Sequence, residues 1–199
     1  MPAGQPWNIN IHYDALLAAT VAPGTQTALD VGCGDGFLSA RLVDRVPDVT
    51  ALDVDADVLR RAEHRFADTS IRWVHGDLMT GELPHRGFDA VLANASLHHI
   101  EDTRGALIRL AELVLPGGTL AVVTFVRPSP RNVLWHLTAW LATGVANRVR
   151  RKWEHTAAIK WPPPVTFSQL RELVRELLPG ARVRRLLYGR VLITWQAPG

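Results

Sequence analysis

The sequence predicts an α/β fold: a seven-stranded, mostly parallel sheet with helices on both faces and a C-terminal antiparallel hairpin. Three observations lead there. Between residues 27 and 125, short β-rich runs alternate with helix-length amphipathic runs, the pattern of parallel strands joined by crossover helices. A glycine-rich turn, Asp30 Val31 Gly32 Cys33 Gly34 Asp35 Gly36, directly follows the first apolar run. Near the end of the chain, strand-like runs at 182–188 and 191–196 are separated only by Gly189 and Arg190, too short a link for anything but antiparallel neighbours.

The elements follow in order. Ala28 Leu29 Asp30 Val31 is a short apolar strand, and residues 37–43 carry apolar side chains at helical spacing. Residues 49–53 form a second strand, 56–66 a helix, 71–75 a third strand and 88–93 a fourth. A helix over about 103–113 leads to the turn Leu115 Pro116 Gly117 Gly118, after which 119–126 is a buried fifth strand. Prolines bound the next segment, about residues 127–164, which is expected to be a helical cap inserted into a single domain spanning 1–199.

Composition narrows the setting. Cys33 is the only cysteine, so no intrachain disulfide can form, in keeping with a reducing compartment. Residues 1–7 have no Lys or Arg and no apolar run, so no secretory leader is expected and a cytoplasmic address follows. The net charge of +3 hides a split: residues 1–126 hold nine Arg and sixteen acids, or −7, whereas residues 127–199 hold eleven Arg, two Lys and three acids, or +10. A basic half is either ordinary solvated helix surface or a field for an anionic substrate, nucleic acid or lipid head group.

In the glycine turn, missing side chains let the backbone bend sharply and approach a ligand. The spacing is GxGxG, without the third-glycine spacing of dinucleotide-binding dehydrogenases. Asp53 ends the second strand, where a carboxylate can accept from two ribose hydroxyls; Asp55 or Asp57 can then cap the next helix. Asp30 is placed to orient water or a ligand ammonium group. Asp77, after the third strand, can accept from the exocyclic amine of adenine, with Leu78 packing near the ring.

Taken together, Leu29 to Gly36, Leu52 Asp53 Val54 Asp55, Gly76 Asp77, the run from Phe88 through Asn94 Ala95 Ser96 Leu97 His98 His99 to Ile100, and Leu115 to Gly118 resemble the successive motifs of class I S-adenosylmethionine-dependent methyltransferases. They are most similar to the small-molecule branch that includes quinone-biosynthesis enzymes. The resemblance covers about residues 27–126 and implies a Rossmann-like sheet. It further implies S-adenosylmethionine as cofactor, with Gly32, Gly34, Asp53, Val54, Asp77, Leu78 and the backbone of Asn94 lining its pocket. Asp30 and Gly36 are counted with that set.

A sulfonium methyl donor is already activated, so the protein mainly aligns the acceptor and excludes water; a base is needed only for a proton-bearing nucleophile. His98 and His99 are the candidate catalytic residues, His98 standing where some O-methyltransferases of this type place a base. His136 and His155 are rivals. Asn94 Ala95 Ser96 lacks the Pro-Pro-aromatic pattern of adenine or glutamine methyltransferases and offers no metal-binding acid, and Cys33 sits inside the turn, away from a cytosine-type nucleophile position. No catalytic metal is expected. Trp135, His136 and Trp140 in the cap are tentative substrate contacts, and the neighbouring run Arg148 to Trp153 mixes basic and aromatic residues. The apolar stretch is too short to cross a bilayer. The expected partner is a small methyl acceptor, partly apolar and lipophilic or anionic, with peripheral membrane contact an option and nucleic acid or protein acceptors the alternative. A non-catalytic cofactor-binding module is a third reading. Acceptor identity, methylated atom and oligomeric state are not encoded in any motif.

Overall fold

The computed structural model describes residues 7–81, 83, 87–149 and 161–199. Helix α1 (Ile9–Ala18) precedes β1 (Thr27–Val31), α2 (Phe37–Leu42), β2 (Asp48–Asp53), α3 (Ala56–Arg65), β3 (Ile71–His75) and β4 (Phe88–Asn94). Then come α4 (Thr103–Glu112), β5 (Val114–Phe125), α5 (Val133–Val149), α6 (Phe167–Leu177), β6 (Arg182–Arg185) and β7 (Arg190–Gln196). The sheet order is β3-β2-β1-β4-β5-β7-β6, parallel through β5 and antiparallel at β7 and β6.

Alternation along the strands builds two apolar layers. Leu29 and Val31 face one side with Leu107 and Leu110 of α4 and Leu170 and Val174 of α6. Ala28, on the opposite face, packs with Tyr13 and Leu17 of α1, Leu38 and Leu42 of α2 and Leu59 of α3. The central strands β1 and β4 are therefore buried on both faces, as a sheet covered on two sides requires, whereas the edge strand β6 is largely exposed. Helix starts are set locally: Asp55 caps α3 through the backbone of Asp57 and Val58, Asp102 caps α4, and Thr166 with Gln169 forms a capping box on α6.

Some boundaries differ from expectation. The expected strand over 182–188 ends at Arg185, because Leu187–Gly189 forms a single 3-10 turn with Tyr188 at φ 59°, and β7 starts at Arg190. The fifth strand begins before the proline-glycine turn, which a register shift against β4 accommodates. The cap segment supplies α5; His155 and the basic residues 150–152 lie outside the described residues. No helix among the described residues is long and apolar enough to cross a membrane.

The chain order reverses between β1 and β4. Ligands of such sheets bind outside the carboxyl ends of the strands at this switch point. The glycine turn, Asp53, Asn94 and the loop carrying His98 all leave the sheet at this edge.

Candidate functional site

The turn after β1 is held in place by β2 and β4. The amides of Gly32 and Cys33 both donate to the carbonyl of Leu52, at 2.8 and 3.0 Å, and Ser96 Oγ donates to the carbonyl of Val31 at 2.7 Å. A β-carbon on Gly32 would lie 2.4 Å from that of Ser96, so glycine is required for the turn to pass under the post-β4 loop. Gly34 differs: its φ is +52°, yet nothing lies within 4 Å of where a side chain would start, so it faces open space. Gly36 serves packing, since a β-carbon there would meet Trp73 at 2.8 Å.

Asp53 is bound into this turn. One carboxylate oxygen accepts from Gly34 N at 2.8 Å and the other from Asp55 N at 2.9 Å. A carboxylate has about four acceptor positions, so each oxygen keeps capacity for a further donor. Val54, next to it, is 67 % exposed, an apolar surface at the crevice edge. Asp77 is exposed, with one oxygen accepting from Met79 N at 2.8 Å, and Leu78 beside it is buried. Asp30 faces inward: it is buried, accepts from Ser39 Oγ at 2.6 Å, and its carboxyl is pushed up to about 7, chiefly by burial. It thus braces β1 against α2.

Asn94 ends β4, and its side chain donates to the Asn10 carbonyl at 2.9 Å and to the Asp14 carboxylate at 2.6 Å. Burial pushes the Asp14 carboxyl up to about 8, a rise that the Asn94 hydrogen bond reduces. Ala95 follows at φ 57°, a left-handed conformation costly for a residue with a β-carbon, and its amide donates to Val123 at 2.7 Å. That strained step directs the chain into the short 3-10 turn Leu97–His99.

His98 is 8 % exposed, its ring centroid 4.1 Å from that of His99 and 4.5 Å from that of Phe125. Burial, then the neighbouring His99 and Arg190, lower its pKa to about 3, so its ring is neutral at physiological pH. Its Nδ1 is buried without a hydrogen-bond partner among the described residues.

The sequence reading missed the other half of this corner. Arg190 stacks over Phe125, its guanidinium carbon 3.3 Å from the ring centroid, and donates to the Tyr188 carbonyl and to Asn10 Oδ1, both at 3.0 Å. Tyr13 Oη donates to the carbonyl of Leu187. The segments around Asn10 and around Arg190 thus meet over the carboxyl ends of β4 and β5 and the start of β7. An arginine opening the apolar run Val191 Leu192 Ile193 was the available signal, but its proximity to Gly189 marked it as a turn residue.

In the cap, Trp135 and His136 turn toward the body. Trp135 Nε1 donates to the Leu186 carbonyl at 3.2 Å, and Arg185 lies over the Trp135 and Phe167 rings. Burial, then Arg185, hold His136 below its ordinary value. Trp140 points away, 72 % exposed, on an outer face shared with Leu134, Leu137 and Leu141. Among the described residues no cluster of three or more His, Cys, Asp or Glu could hold a metal ion.

Comparison with known proteins places these features in context. The family described as a methyltransferase domain matches residues 29–122. An uncharacterised methyltransferase of Mycobacterium tuberculosis (H37Rv) is 71 % identical over 194 residues, covering 98 % of each chain. A 2-phytyl-1,4-naphtoquinone methyltransferase of Thermosynechococcus vestitus is 29 % identical over 71 % of this chain and 68 % of its own length. A malonyl-[acyl-carrier protein] O-methyltransferase of Acetivibrio thermocellus is 34 % identical over 49 % of this chain and 35 % of its own. Among solved structures, a phosphoethanolamine-type N-methyltransferase of Haemonchus contortus, in complex with phosphomonomethylethanolamine and S-adenosylhomocysteine, superposes with a TM-score of 0.69 at 13 % identity, over 94 % of this chain and 53 % of that one.

Proposed function

The chain belongs to the class I S-adenosylmethionine-dependent methyltransferases, and from that membership we propose that it methylates a small, partly apolar acceptor held at the carboxyl edge between His98, Phe125 and α5. The observation that carries this reading is a juxtaposition at one edge. A carboxylate and an open glycine turn lie beside β1 and β2, and an aromatic corner of buried His98 and half-buried Phe125, with an unsatisfied His98 nitrogen among the described residues, lies beside β4 and β5.

The residues present fit the cofactor. Gly34 leaves room for close approach, Asp53 retains acceptor capacity for ribose hydroxyls, and exposed Val54 with buried Leu78 offers apolar contact for adenine. Asp77 would accept from the adenine amine, and the backbone at Asn94 and Gly32 would border the amino-acid part. Asp30 and Gly36 support the turn from behind. When bound, S-adenosylmethionine supplies a sulfonium methyl group that needs alignment with a nucleophile more than activation.

A ring whose pKa lies near 3 is a weak proton acceptor, so His98 acts here as a neutral hydrogen-bonding group that orients the acceptor. His99, in ring contact with it, fixes its position. Trp135 and His136 close the acceptor side from α5, while exposed Trp140 lies on the outer face, where a lipophilic acceptor or membrane surface would approach.

The +10 charge of residues 127–199 favours an RNA or protein acceptor as the second reading. Acceptor affinity measured across a salt series separates the two: nucleic-acid binding falls steeply with salt, and binding of a small acceptor changes little. A steep fall with RNA, together with methyl incorporation into it, would replace the first reading by the second.

A further inference from the structure

We infer that Arg190 anchors an anion subsite, and that the methyl acceptor carries a carboxylate beside its apolar body. This rests on the acceptor site proposed above and names its chemistry. Arg190 is the first residue of β7, opposite Phe125 in the β5–β7 ladder, and only 6 % exposed. Both of its hydrogen bonds go to neutral oxygens, those of the Tyr188 carbonyl and the Asn10 side chain. Among the described residues no carboxylate pairs with it, and its Nε is buried without a partner.

Buried cations are normally paired, because desolvation without a counter-charge is costly. Burial does lower the Arg190 pKa, to about 9, but this leaves it ionised at neutral pH. The fold therefore keeps a desolvated positive charge at the acceptor edge, fixed by Asn10, Tyr188 and the face of Phe125. A planar guanidinium fork held in this way suits a carboxylate. His98 packs on the same Phe125 ring, and both His98 Nδ1 and Arg190 Nε are buried without a hydrogen-bond partner among the described residues. Residues 127–199 carry a net +10 in sequence, of the same sign as Arg190 and favourable to an anionic molecule.

The chemistry agrees with the neutral state of His98. A carboxylate oxygen is already deprotonated at physiological pH and needs no base. As its lone pair forms the oxygen–methyl bond, the carbon–sulfur bond breaks with its electrons returning to sulfur. Anion and sulfonium become a neutral methyl ester and a neutral thioether, and no proton moves.

The test compares octanoate with octanamide, which share an apolar body and differ in charge, by calorimetric titration into protein saturated with S-adenosylhomocysteine. Wild-type protein is expected to bind octanoate at least about tenfold more tightly. Arg190→Gln should abolish that preference without changing affinity for S-adenosylhomocysteine, and Arg190→Lys should retain part of it. Equal binding of the two probes by wild-type protein, or no binding of octanoate at millimolar concentration, overturns the inference, as does a folded Arg190→Gln variant that keeps the preference. The wild-type comparison decides even where Arg190→Gln fails to fold. Loss of S-adenosylhomocysteine binding by the wild-type chain would instead strike the cofactor site beneath it.

Discussion

At Asp53, two backbone amides already occupy the carboxylate, one from the glycine turn and one from the start of α3. The side chain is thereby held in place by the fold itself, so that binding at the proposed ribose site would incur little reorganisation. Asp53→Ala should weaken S-adenosylmethionine binding by about 1.5–3 kcal/mol, the range for hydrogen bonds to a charged group; calorimetry on a folded variant checks it, and unchanged affinity would remove Asp53 from the site. His98 gives a second residue-scale expectation. With its pKa held to about 3, it does not titrate near neutrality, so its ring should leave no inflection in kcat/KM between about pH 6 and 8. His98→Ala should slow turnover through misalignment while leaving the pH profile in that range unchanged. A rate that rises through an ordinary histidine pKa, and loses that rise in His98→Ala, would support a general-base role instead.

The glycine turn and α5 show how elements divide binding from support. Gly32→Ala places a β-carbon against Ser96 at a left-handed φ of +69°, so the turn or the post-β4 loop must move. A lowered Tm with weakened cofactor binding is expected, measured by thermal melting with and without S-adenosylhomocysteine; an unchanged melting curve would show that the turn yields freely. On α5, exposed Trp140 should tolerate truncation within about 0.5 kcal/mol of wild-type stability, whereas Leu170→Ala, in the α6 core, should cost about 2–5 kcal/mol. Chemical denaturation of both variants tests this pair. The sequence pattern made the crossover elements readable because their apolar positions match one period each. Helix α1 escaped notice for the converse reason: Ile9, Ile11 and Tyr13 alternate with Asn8, Asn10, His12 and Asp14, a period-two pattern that forms a helix only once α2 and β4 pack against it. Because Asn10 and Tyr13 lie on α1, the corner around Arg190 could not be assembled from local signals; it needs contacts spanning nearly the whole chain.

Across the whole molecule, buried acids at the carboxyl edge set a pH dependence. Asp14 and Asp30, ordinarily near 3.8, are raised to about 8 and about 7, so the folded state binds protons that the unfolded state has released. Stability therefore falls as pH rises through that window. His98 acts oppositely, but only between about 3 and its ordinary 6.5, where the unfolded chain binds the extra proton. Between about pH 6.5 and 8 the acids act without that opposition, and the apo protein should lose stability over that interval; Asp14→Asn should flatten the slope. Thermal melting across pH checks it, and a Tm that rises from pH 6.5 to 8 would contradict the assignment. The motifs from residue 29 to 118 made the family and the proposed cofactor half legible because their residues lie in successive turns, each close in sequence to the strand that presents it. The half proposed to hold the acceptor is assembled from α1, the post-β4 turn, α5 and β7, and charge patterning alone could not order them. The most direct test of the account is the fate of a tritiated methyl group from S-adenosylmethionine when the chain is incubated with a whole-cell extract. Label in the extractable small-molecule fraction, lost with Asp53→Ala, is the predicted result; label confined to RNA or protein would contradict it.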